Sequence, residues 1–124
     1  MPLYRVHSHS EKLTPEQRRT FSQDVVDVHC HFTQAPPSFV HVLYMDGPIP
    51  DGFLVHVLGT IRSGRTASQK QSIIDGLAAR YAAHAGIDSG QVTVTLIDIE
   101  ASSVMEGGKL LPEPGSEEER RWTA

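Results

Sequence analysis

The chain has 124 residues and a mass of 13.6 kDa, which is room for one hydrophobic core and not for two. Hydrophobic residues make up 39% and charged residues 21%, with 10 Gly and 8 Pro, a balance that excludes collagenous and low-complexity chains. The formal charge of −4, from 15 acids against 11 bases, argues against a generic phosphate-coating surface, so any anion site must rest on a few placed arginines.

No apolar run approaches the roughly 20 residues that span a bilayer, and the opening Met1-Pro2-Leu3-Tyr4-Arg5 lacks a signal peptide's apolar core. A soluble, cytoplasmic protein without a membrane partner is expected. The single Cys30 has no internal disulfide partner, which is compatible with a reducing compartment.

Residues 3–7 alternate and suit a strand, and Ser8 to Leu13 reads as a polar loop. Thr14-Pro15-Glu16-Gln17 opens a helix: the threonine caps, proline suits the first helical position, and Gln17 reaches back as in a capping box. Phe21, Val25, Val28, His29 and Phe32 then line one stripe, and Pro36-Pro37 closes the segment. The run from Phe39 to Met45 predicts a second strand, and Asp46 to Gly52 a turn-rich break. A third strand is expected from Phe53 to Leu58, ended by Gly59. Thr66-Ala67-Ser68-Gln69 repeats the capping box and is followed by Ile73, Ile74, Leu77, Ala78 and Tyr81 at helical spacing, with Gly86 as the stop. Val92, Val94, Leu96 and Ile97 predict the last long strand.

Strand, helix, strand thus occurs twice, and Thr14 and Thr66 stand 52 residues apart. The expected fold is α/β, a duplicated βαβ unit with halves at about 2–46 and 53–99, a mixed sheet and two helices packed on one face. Residues 1–115 form one domain in this reading, and 116–124 a charged C-terminal tail. The same element order occurs in the ferredoxin-like split βαβ, which hosts RNA readers and small-molecule sensors. A non-enzymatic ligand- or RNA-binding module is therefore the alternative function, against which stand the negative charge and only seven aromatic rings beside Trp122.

Four features carry chemistry. A starting Met before Pro2 is of the kind that aminopeptidases remove, and the exposed secondary amine would titrate near neutrality as a general base or acid; many proteins nonetheless begin Met-Pro. Arg62 and Arg65 flank Gly64 between a strand end and a helix cap, where two guanidinium groups can converge on one carboxylate or simply form a solvated turn. His29 lies on the apolar stripe of the first helix, a place where histidine is more often structural. Glu106, among apolar residues and glycines, can activate a water or pair with Lys109. His29-Cys30-His31 point in different directions on a helix and cannot chelate one ion together, so no metal site is expected.

Pro2-Leu3-Tyr4, His29, Arg62-x-x-Arg65 and the stretch from Met105 to Gly115, ending Leu111-Pro112-Glu113-Pro114-Gly115, together resemble the cis-3-chloroacrylic acid dehalogenase group of the tautomerase superfamily. The resemblance implies a homotrimer with sites between subunits and neither metal nor organic cofactor. It implies Pro2 as the N-terminal catalytic amine, Arg62 and Arg65 as holders of a substrate carboxylate with help from His29, and Glu106 as activator of a water. Two departures stand out: the loop at Asp46 to Gly52 is shorter, and Thr95 stands where a strand tyrosine assists the dehalogenase. The expected activity is cofactor-independent keto–enol tautomerisation of a small 2-oxo acid, with hydration or hydrolytic dehalogenation at a lower level and Thr95 as an accessory position.

Overall fold

The computed structural model describes residues 1–9 and 13–122. Part of the polar loop expected from Ser8 to Leu13, and the last residues of the tail, therefore lie outside the described residues. The chain runs β1 (Leu3–Ser8), α1 (Pro15–Thr33), β2 (His41–Met45), β3 (Val55–Arg62), α2 (Ala67–Ala85), β4 (Val92–Ile99), β5 (Met105–Glu106), β6 (Lys109–Leu110) and α3 (Glu117–Trp122).

Four strands form one mixed sheet in the order β2-β1-β3-β4. β1 pairs in parallel with β2, β3 in parallel with β4, and the two units meet where β1 and β3 run antiparallel. Parallel neighbours need a crossover, and each is made by a 19-residue helix. Both helices start on the expected capping boxes, with Thr14 and Thr66 accepting from the N–H groups of Gln17 and Gln69 and the glutamine side chains answering. Each cap glutamine also ties the helices together: Gln17 Nε2 donates to the His84 carbonyl at 2.9 Å and Gln69 Nε2 to the Phe32 carbonyl at 2.8 Å. The start of each helix therefore lies beside the end of the other.

The core fills the space between this helix pair and one sheet face. Phe21, Val25 and Val28 of α1 and Ile73, Leu77 and Tyr81 of α2 pack on Tyr4, Val6, Val55, Val57, Ile61, Val92 and Val94, all essentially buried. Alternation sends Leu3, Arg5, His7, His41, Leu43, Met45, Thr95 and Ile97 to the other face. Leu43, Met45 and Ile97 are 48%, 41% and 42% exposed there, an apolar content high for a solvated sheet face.

Several sequence boundaries shift for physical reasons. Gly59 does not end the third strand; β3 runs on to Arg62, and the glycine makes room for Tyr4, since a Cβ there would lie 2.6 Å from the tyrosine ring. Phe39 falls in a 3-10 turn, Pro37–Phe39, ahead of β2. Its ring joins a second small core with Ala101 and Leu111, covered by Met1, Val104 and Trp122. α1 ends at Thr33 with Gln34 in the left-handed region, φ 62°, before Pro36-Pro37 is reached. Residues 117–122, read from the sequence as part of a charged tail, form α3, and its Glu119 is buried.

Candidate functional site

One end of the molecule collects the starts of β1 and β2, the end of β3, the last turn of α1 and the first of α2. The capping geometry fixes this: α1 delivers His29 and Thr33 to the place where α2 begins, and β3 delivers Arg62 just before it. Arg65 then bridges the helices, its Nη1 donating to the Thr33 carbonyl at 3.1 Å.

His29 is 1% exposed, and its Nδ1 lies 2.7 Å from the Tyr4 hydroxyl. Burial, followed by the positive charges of Arg65 and Arg62, pushes the imidazole pKa down to about 3, so the ring is neutral at ordinary pH. Burial likewise raises the Tyr4 hydroxyl, keeping it protonated. Tyr4 can take this place because Gly59 on the next strand leaves the ring its space.

Arg62 is 1% exposed and its terminal nitrogens are engaged: Nη1 donates to the Pro112 carbonyl at 2.7 Å and Nη2 to Glu119 Oε2 at 2.5 Å, with Phe39 beneath the guanidinium. The two arginines expected to converge thus differ. Arg62 is committed within the chain to a carboxylate on α3, whereas Arg65 is half-buried with its Nε unpartnered among the described residues. Burial and the neighbouring Arg62 lower the Arg65 pKa, as expected for two cations in one site.

Glu106 closes the site from the other side. Gly107 and Gly108, at φ 57° and 80°, make the two-residue turn of the β5-β6 hairpin, a turn that requires positive φ at both positions. Glu106 opposes Lys109 across the backbone ladder, yet its side chain reaches His41 Nε2 at 2.8 Å and the Met1 amine at 3.4 Å. Burial lowers the pKa of that amine; Glu106 pulls it back up and Arg62 lowers it further. Pro2 is buried next to it, with its carbonyl accepting from the His41 N–H at 2.9 Å.

The Met1 amine, His29, Arg62, Arg65 and Glu106 thus share one electrostatic neighbourhood, with Pro2 buried beside the amine. Within one chain the structure does not bring Thr95 there: its hydroxyl lies 2.9 Å from His56 Nε2, on the sheet edge opposite β2, about 14 Å across at the usual strand spacing. An open cleft of about 940 Å³ borders Glu106, Leu110, Arg121 and Trp122 but not Arg62, Arg65 or His29. Sequence reasoning gave Tyr4 no role of its own and missed His41 and Glu119. His41 left one signal, a polar residue at an outward position of an otherwise apolar strand. Among the described residues no group of three or more His, Cys, Asp or Glu could hold a metal ion, and no helix is long and apolar enough to cross a membrane.

A two-βαβ scaffold whose chain start lies beside a carboxylate and the charge of Arg62 narrows the class, and comparison with known proteins agrees. The Tautomerase_3 family, described as "Putative oxalocrotonate tautomerase enzyme", matches residues 1–124, and the chain belongs to this family of the tautomerase superfamily. It is similar to the solved structure of N1, a member of the cis-3-chloroacrylic acid dehalogenase family, with 31% identity, a TM-score of 0.85, and coverage of 99% of this chain and 92% of that one. Native Ps01740 is 30% identical with a TM-score of 0.75, covering 85% and 100%. A fused 4-OT, Q0, described as a symmetric trimer, shares the fold at 24% identity with a TM-score of 0.76, covering 89% and 95%. No curated protein matches the sequence.

Proposed function

We propose that the protein is a cofactor-independent tautomerase of small 2-oxo acids and their enols, working through Pro2 as a free N-terminal amine after loss of Met1. The supporting observation is the meeting of an amine, a carboxylate, a neutral histidine and two arginines at one end of the fold. The free Pro2 amine would take a place beside that of the Met1 amine, where burial favours the neutral base and Glu106 opposes it. It accepts the enol O–H proton and returns a proton to C3 as the C=C pair moves, so C–OH becomes C=O with no other atom exchanged.

Arg65 holds the substrate carboxylate, and Arg62, tied to Glu119, adds positive potential behind it. With Tyr4 taken as the donor in its hydrogen bond to His29 Nδ1, the Nε2 proton is left to the substrate. Addition of water to a 3-substituted acrylate is a second activity of the same site. Glu106 takes one proton from water as its oxygen bonds to C3, and protonated Pro2 gives a proton to C2. With a 3-halo substrate the adduct then loses hydrogen halide to leave an aldehyde. The resemblance puts Thr95 in the place of an assisting tyrosine, so this activity is expected to trail tautomerisation; since Thr95 lies at the far sheet edge of its own chain, Thr95→Tyr is expected to raise it through a neighbouring subunit of the proposed trimer.

The assembly proposed is a homotrimer, supported by the exposed apolar sheet face and by the trimeric form of a fused 4-OT of the same fold. The partner proposed is a small carboxylate, with no nucleic acid and no membrane, in the cytoplasm. The deciding experiment compares enol-acid turnover by the chain beginning at Pro2, its start verified by intact mass, with turnover by a chain carrying an N-terminal extension. Loss of about 10²-fold or more in the extended chain is expected, by analogy with removal of a general base; equal rates would sink the proline mechanism.

A further inference from the structure

We infer that His41 is a positioning residue for Glu106, holding its carboxylate beside Pro2 for attack by water; the inference rests on the function proposed above. His41 touches both halves of that chemistry. Its backbone N–H donates to the Pro2 carbonyl at 2.9 Å, which pins the residue in register with the chain start. Its imidazole, on the open sheet face, places Nε2 2.8 Å from Glu106 Oε1. The Met1 amine approaches the same oxygen at 3.4 Å. Both contacts fall on Oε1, and among the described residues Oε2 makes no hydrogen bond, which leaves Oε2 as the proton acceptor.

Such fixing matters here for a local reason. Glu106 stands on a hairpin strand of two residues, beside a Gly-Gly turn, and a short ribbon of this kind has little stiffness of its own. A carboxylate that must be aligned within a few tenths of an ångström needs an outside anchor, and the edge of the main sheet provides one. Thr95, bonded to His56 at the far edge, does not serve within the chain. The His41–Glu106 pair therefore supplies an orienting donor from β2, where the dehalogenase resemblance led one to look for it on the last strand.

The test uses the chain beginning at Pro2 with two substrates, an enol of a 2-oxo acid and a cis-3-haloacrylate, and reads the ratio of water addition to tautomerisation. His41→Ala should lower that ratio about 10-fold or more, by analogy with loss of one orienting donor. His41→Gln, which keeps an N–H donor of similar reach, should restore it to within about 3-fold, a rescue that a purely structural role would not require. Since His41 is 55% exposed at the side chain, both variants should fold, and thermal unfolding of each confirms it. An unchanged ratio in His41→Ala, with Glu106→Gln still lowering it, overturns the inference alone. An unchanged ratio in Glu106→Gln as well overturns the role of Glu106 itself, and a wild-type protein without measurable water addition overturns both.

Discussion

The antiparallel helix pair gives the molecule two corresponding ends, only one of which holds the candidate site. In α1 and α2, residues 52 apart play the same packing part: Phe21 answers Ile73, Val25 answers Leu77, and His29 answers Tyr81. At the quiet end Tyr81 stacks edge-on against Phe21 at 5.1 Å and completes the core. At the active end the equivalent side chain is His29, bonded to Tyr4 under two arginines. The strands depart from strict repetition: Tyr4 and Val6 face inward in β1, whereas Val55 and Val57, 51 residues on, do so in β3. Duplication thus supplies the scaffold, while the site arises where single positions break the repeat and where the segment after β4 adds Glu106 and Glu119.

The largest expected effect tests that added segment. Arg62→Ala strands Glu119 in a buried place and should cost about 3–5 kcal/mol of unfolding free energy by denaturant titration. Arg62→Met with Glu119→Leu should recover much of it, because neither charge is then left alone. A loss under about 1 kcal/mol in Arg62→Ala would mean that α3 does not anchor the active end.

Legibility followed the range of the interaction. Caps and helix stripes are set by residues within a few positions, and Thr14, Thr66, Gly86 and the buried stripe from Phe21 to His29 were readable. The strand ends were not, because Gly59 looks like a stop until Tyr4 of another strand is seen to need its space. Within the candidate site, type and setting left Arg62, Arg65, His29 and Glu106 as open alternatives, and the family resemblance singled them out. Their partners could not, since Glu119 lies 57 residues from Arg62 and Glu106 lies 65 from His41. The tail's charges looked like a solvated run because no local signal distinguishes the one glutamate that is buried.

The second effect concerns His29 against its counterpart. Its pKa falls from about 6.5 unfolded to about 3 folded, so the unfolded chain binds the extra proton between those values. The contribution is fully present above pH 6.5 and is lost as pH falls toward 3, at about 1.4 kcal/mol per pH unit for this group. His29→Gln should remove roughly 2–3 kcal/mol of the stability difference between pH 6.5 and 4.5. An identical pH slope in wild type and variant would contradict a neutral, buried His29.

Third comes the clamp. One charge-assisted contact is worth about 1.5–3 kcal/mol, so Arg65→Ala should lower kcat/KM by about 10- to 150-fold on a 2-oxo acid enol. The loss should be much smaller on the neutral amide of the same substrate. Equal losses on both would place Arg65 outside carboxylate binding.

The smallest effect sets the two ends most directly against each other, through their capping boxes. The geometries match: Gln17 N–H reaches the Thr14 hydroxyl at 3.2 Å and Gln69 N–H reaches Thr66 at 3.1 Å, while both return bonds measure 2.8 Å. Each threonine to alanine change should therefore cost about 1 kcal/mol, and the two should add because they lie at opposite ends of the helix pair. Function should separate them. Thr66 follows Arg65 directly, and loosening the first turn of α2 lets the guanidinium drift from its bond to Thr33. Since misplacement by about 1 Å can cost 10²-fold, Thr66→Ala should lose on the order of 10-fold in kcat/KM. Thr14→Ala, at the end that holds Tyr81 rather than His29, should keep its turnover while losing the same stability. Equal activity losses in the two variants would show that the difference between the ends lies elsewhere than in how Arg65 is held.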